Sequence, residues 1–138
     1  MFEHFAKLKD MGYYPDAILD IGAHHGNWTK SMLSIYPNSK YYLFEGINYE
    51  QLNKIQNNPN NPNIYVRNEL LNDKIEEVDW YEEKNTGDSF FKEKTKHFLK
   101  TKPNKRKTID LNSIINRDNI LRNEKNIFIK IDCQGAEI

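Results

Sequence analysis

The sequence is short of several features that sort proteins into classes at once. It contains a single cysteine, Cys133, among 138 residues. One thiol excludes an internal disulfide and fits a reducing compartment. A long apolar run and a signal-peptide pattern at the amino end are both missing, so the expected setting is cytoplasmic, with no membrane partner. Surplus charge is missing too, since 20 basic residues balance 20 acidic ones. Nothing global therefore draws the chain to nucleic acid, and no nucleic-acid partner is expected. What is present, 38% hydrophobic and 29% charged residues, fits a soluble globular chain of one domain over residues 1–138 with a modest core.

A further absence lies in the most informative stretch, Ala17-Ile-Leu-Asp-Ile-Gly-Ala-His-His-Gly-Asn-Trp28. An apolar run enters Asp20, Gly22 and Gly26 follow, and a helical pattern begins. The stretch reads as a buried parallel strand, a glycine turn and a helix start. Gly22 permits a sharp turn, and Gly26 permits close approach of the helix to whatever lies in the crevice. A dinucleotide site would show Gly-x-Gly-x-x-Gly around a pyrophosphate. Here the first of those glycines is missing and an acid, Asp20, stands in its place. A carboxylate repels a pyrophosphate and attracts a ligand carrying ammonium and sulfonium groups. That favours S-adenosylmethionine over NAD or ATP. The alternative is a tight strand-helix turn with no ligand.

Periodicity predicts the remaining elements. Residues 2 to 11 read as a helix stopped by Gly12, with His4 on its surface. Trp28, Met32, Leu33 and Tyr36 mark a helix face ended by Pro37. Residues 40 to 45 read as a strand ending in Glu45, about 25 residues after Asp20, the distance at which an acid meets a ribose in a βαβ unit. Asn48-x-x-Gln51 reads as a capping box opening a helix with Leu52 and Ile55. Residues 63 to 67 form a third strand, followed by a polar loop in which Asn72 or Asp73 would bond an adenine amine. A short strand containing Val78, Trp80 and Tyr81 follows, then turn chemistry at residues 85 to 89. The basic run from Phe90 to Lys107 reads as a solvated loop, with recruitment of an anionic substrate as the alternative. His97 within it has no partner at ligand spacing. Thr108-Ile109 closes the loop as a short strand, and Asp110 caps a helix with Leu111, Ile114 and Ile115. Residues 127 to 132 are a fourth strand. Lys130 is out of place in it, so it must pair with a carboxylate such as Asp132 or Glu137 or face an open crevice.

These blocks resemble the FkbM-type methyltransferases, a family of S-adenosylmethionine-dependent enzymes. The resemblance runs from about Leu19 to the end. It rests on Leu-Asp-Ile-Gly-Ala-His-His-Gly-Asn-Trp-Thr29, Tyr-Leu-Phe-Glu45, Gly-Asp-Ser-Phe90, Thr-Ile-Asp-Leu111 and Ile-Lys-Ile-Asp-Cys-Gln-Gly-Ala-Glu137. It implies an α/β fold, a Rossmann-like class I methyltransferase sheet with helices on both faces, here with the first four strands and a short hairpin insertion. It implies that Asp20, Gly22 and Gly26, with Ala23 and His24 between them, line the methionine end of the cofactor, and that Glu45 holds the ribose. Lys130, Asp132, Gly135 and Glu137 form the family's second signature at the boundary between cofactor and acceptor. The family usually has proline after the ribose acid, where this chain has Gly46. His24 and His25 replace smaller or amide residues, and read as rim residues rather than metal ligands, since two adjacent histidines cannot both reach one metal from a regular element.

The class I sheet has seven strands, so the sequence is expected to be a truncated form whose fourth strand is an open apolar edge. The expected activity is methyl transfer to an oxygen of a small-molecule or glycan acceptor, the oxygen being implied by the family alone. Asp132 is the candidate proton acceptor or orienter, with Lys130 beside it and His24 or His25 next in line. Ser89 and Glu137, with Trp80 and Tyr81, are candidate acceptor-side residues. The rival expectations are a non-catalytic cofactor- or partner-binding module and a nucleotide-dependent oxidoreductase, the latter disfavoured by the missing glycine.

Overall fold

The structure, a computed structural model, describes residues 1–81 and 103–133. Ser89, Gly135 and Glu137, and the basic run from Phe90 to Lys102 with His97, lie outside the described residues.

The strand β1 (Ala17–Ile21) is buried along its whole length, as a strand covered on both faces must be. It pairs in parallel with β2 (Lys40–Phe44) on one side, and β2 pairs in parallel with β3 (Ile64–Arg67). On its other side β1 pairs in parallel with the last described strand (Ile127–Ile131), which is β7. The order β3-β2-β1-β7 reverses direction at β1, so the switch point of the sheet falls between β1 and β7. A second sheet combines β4 (Leu70–Leu71), β5 (Glu77–Trp80) and β6 (Asn104–Ile109) in the order β4-β6-β5.

Alternation sends β1 side chains to two cores. Ile18 joins Tyr41, Leu43 and Ile64 under the helices α2 (Asn27–Ile35) and α3 (Glu50–Asn57), which contribute Met32, Leu52 and Ile55. Phe2 and Phe5 of α1 (Phe2–Asp10) pack against the same cluster. Ala17, Leu19 and Ile21 join Tyr42 and Phe44 on the opposite face, under Ile114 of α4 (Leu111–Asp118). The protein is thus mixed α/β, with a four-stranded parallel sheet between helices.

Three local expectations are corrected. Asn48 does not open a capping box: α3 starts after Tyr49 with no side-chain cap, and the Asn48 Oδ1 accepts from Asn53 instead. The polar stretch after β3 contains β4, because Leu70 and Leu71 pair with Thr108 and Ile109. Residues 104–107, read as solvated loop, are strand. Their basic side chains face acidic β5, with Lys107 opposite Glu77 and Lys105 opposite Asp79, an ion pair. Cross-strand charge pairing stabilises a strand that has no apolar alternation to announce it. Asp110 caps α4 as expected, its carboxylate accepting from the Ser113 amide at 2.9 Å.

Candidate functional site

The carboxyl ends of β1, β2 and β7 meet at the Gly22 turn. The amides of Gly22 and Ala23 both donate to the Phe44 carbonyl, at 2.9 and 3.2 Å, which ties the turn to the end of β2. The Asp132 amide donates to the Ile21 carbonyl at 3.0 Å, which ties it to the end of β7. Gly22 has φ +75, and a Cβ on it would lie 1.9 Å from the Asp132 carbonyl oxygen. Backbone crossing backbone is why the residue is glycine. Gly26 has φ +76 and caps α2, and a Cβ there would meet Ile55 and Leu52 of α3. The missing side chain thus lets the start of α2 pack closely against α3.

Asp20 is fully buried. Its Oδ2 accepts from the Thr29 hydroxyl on α2 at 2.6 Å. Its Oδ1 faces the Lys130 ammonium at 3.0 Å, an ion pair without aligned hydrogen-bond geometry. Lys130 stands opposite Asp20 in the register of β1 and β7, on the same face. The ammonium also donates to the Gly22 carbonyl at 3.0 Å, lies 3.8 Å from Asp132, and sits 5.9 Å from the Trp28 ring centre. Trp28 stacks on Phe128, and Phe5 meets both rings edge-on, which keeps water from this side of Lys130. Burial pushes the Asp20 carboxyl above its usual range, and the Lys130 charge and the Thr29 hydroxyl pull it back. Lys130 thus takes Asp20 as its nearest carboxylate, a partner that residue spacing did not single out. Asp20 is thus enclosed by protein groups on both oxygens.

Glu45 follows β2 and is half-buried. Its Oε2 accepts from the His24 amide at 2.7 Å and its Oε1 from the Ile47 amide at 3.1 Å. His24 has φ 50, and its ring stacks on His25 with centres 3.8 Å apart, while both rings meet Tyr49 edge-on. The two imidazoles and the Tyr49 ring thus form one aromatic cluster. Asp132 is the exposed acid of the group, its side chain 64% accessible. Asp73 is exposed in the connection after β4, and Asn72 donates to Glu76. Arg106 donates to the Gly46 carbonyl at 2.7 Å and fixes the residue that follows Glu45. Trp80 is buried and packs against Gly46.

The structure therefore brings Asp20, Gly22, Ala23, His24, Glu45, Lys130 and Asp132 to one end of the parallel sheet. Thr29 and Arg106 were not assigned roles from sequence. Thr29 carried one signal, a polar residue three positions before Met32 on an apolar stripe. Among the described residues, no group of three or more His, Cys, Asp or Glu side chains is placed to hold a metal, and no helix is long and apolar enough to cross a membrane.

Fold and site together define a mixed α/β protein with a cluster of acids and one lysine at the switch point of a four-stranded parallel sheet. No family model, curated protein or solved structure matches the chain.

Proposed function

We propose that the chain binds S-adenosylmethionine in a crevice at this switch point and acts as a methyltransferase on an oxygen of a small molecule or glycan. The observation that carries the reading is the charge and placement of the crevice wall. Asp20 and Asp132 flank one ammonium, that of Lys130, at the carboxyl edge of the switch point, and a third acid, Glu45, follows the neighbouring strand β2. That leaves the wall negative, suited to a cationic nucleoside and hostile to a pyrophosphate. Glu45 fits a ribose, because its carboxylate follows β2 at the carboxyl edge of the sheet and is already oriented by two amides. Asp20, by contrast, fits as a support for the turn.

The cofactor, when bound, supplies an activated methyl group. The protein must hold the acceptor in line with it, and positioning of that kind is worth several kcal/mol. Asp132, exposed at the rim, takes the proton of the acceptor hydroxyl or orients it. Lys130 lies 3.8 Å from that acid. Ser89 and Glu137 are proposed on the acceptor side.

A second reading, a module that binds a partner without catalysis, is favoured by one feature. Ile127, Ile129 and Ile131 line one face of β7 and are 39–47% exposed. Incubation with methyl-labelled S-adenosylmethionine and a panel of hydroxylated small molecules and glycans separates the two. Label transferred to an acceptor is the expected result. Binding without transfer to any of them favours the module, and failure to bind overturns both uses of the cofactor.

A further inference from the structure

Lys130 occupies an unusual position for a strand residue. It sits on the covered face of β7, directly opposite a fully buried carboxylate, and its ammonium reaches across to the carbonyl of the turn. Three donors are available on an ammonium. One bonds Gly22, the ammonium faces Asp20 at 3.0 Å, and Asp132 lies 3.8 Å away. No other described cation is paired with Asp20. The Gly22 turn is thus held from three directions: by the end of β2 through Phe44, by the end of β7 through Asp132, and by Lys130. The first two are backbone contacts, which the absence of a side chain at Gly22 permits. The third depends on charge.

We propose that Lys130 is the positioning residue of the crevice, and that its ion pair with Asp20 sets the shape of the Gly22–His24 turn and thereby the affinity for the ligand. The inference rests on the cofactor reading above, but its core, the dependence of the turn on the pair, is a property of the free protein. Asp20 is attached to α2 through Thr29, so a change at the pair is felt in the helix start as well as in the turn. Because the His24 amide bonds Glu45, displacement of the turn also moves the ribose-facing carboxylate. A residue with no ligand contact of its own can thus control both ends of the site.

The chemistry dictates the test. Removing Lys130 alone strands a buried carboxylate, whereas removing both charges does not. The groups facing Asp20 are Thr29 from α2, Lys130 from β7 and Asp132 after it. With the ammonium gone, ionisation of Asp20 is opposed by burial and by the Asp132 charge, so the defect must grow as pH rises. K130M, D20N and D20N/K130M are compared with the unaltered protein for melting temperature and for S-adenosylhomocysteine affinity, from acid to mildly alkaline pH. K130M should melt several degrees lower at the alkaline end than at the acid end. It should bind about tenfold to a hundredfold more weakly, the scale for a misplaced site. D20N/K130M should lose the pH dependence and recover part of both quantities. If K130M is too unstable to study but D20N/K130M folds, the pair is supported. Equal losses in K130M and D20N/K130M at every pH, or failure of both to fold, would overturn the proposal. If the unaltered protein binds no S-adenosylhomocysteine, the cofactor reading fails, while the melting temperatures still decide whether the pair controls the turn.

Discussion

At the scale of single residues, the crevice turns on a carboxylate with almost no water around it. Asp20 has the Thr29 hydroxyl on one oxygen and the Lys130 charge on the other. Thr29→Val keeps the shape of the side chain and removes the donor. An acceptor stranded in this way costs about 1–3 kcal/mol. The sign with pH follows from the direction of the Asp20 shift. Its folded value lies above the reference 3.8, so the favourable contribution is complete below that value and is lost as pH rises through the folded one. Urea unfolding of Thr29→Val should therefore show a larger deficit at mildly alkaline than at mildly acid pH, while Thr29→Ser should behave like the unaltered protein. A deficit that does not vary with pH would count against a charged Asp20. Sequence made the acid and the lysine visible as oddities, but not as partners. They are 110 positions apart and become neighbours only through the register of β7 on β1.

At the scale of elements, legibility followed the physics of each segment. The β1–Gly22–α2 unit, β2 and the capped α4 were readable because period, turn and cap all agreed. The strand β6 was not, because Asn104 to Lys107 contains no apolar residue and is a strand only by virtue of the acidic strand beside it. The start of α3 was misread for a related reason, since a side chain with capping chemistry found another partner. The packing of α4 on the sheet edge rests on charges as well as on Ile114. Asp118 accepts from Arg67 of β3 at 2.7 Å and from Arg117 at 2.8 Å, and Arg117 also grips Glu69. The bonds from Arg117, then those from Arg67, hold the Asp118 carboxyl well below the usual range. Stability from this group is present above its unfolded value and lost as pH falls through the folded one. Asp118→Asn should lower the melting temperature at neutral pH and flatten the decline between about pH 5 and about pH 2. An acid limb as steep as before would remove Asp118 from the account. Added salt should shrink the difference at neutral pH, because the network is partly open to water.

At the scale of the whole molecule, two features follow from the strand order. The reversal at β1 puts the switch point between β1 and β7, and β7 stands at the edge of the described sheet with three isoleucines on its bare face. Exposed edge positions tolerate charge, which also discourages edge-to-edge pairing. Ile129→Lys should therefore leave urea stability within about 0.5 kcal/mol. A loss of several kcal/mol would show that the face is covered. The central claim is that the negative crevice receives a cationic nucleoside with Glu45 on its ribose. Isothermal titration of S-adenosylhomocysteine into the unaltered protein and Glu45→Ala, with NADH as the competing ligand, tests it most directly. The account predicts that S-adenosylhomocysteine binds, that NADH does not, and that Glu45→Ala weakens binding by about 1–3 kcal/mol, the range for hydrogen bonds to a charged group. Binding of NADH alone, or equal affinity in the two proteins, would contradict it.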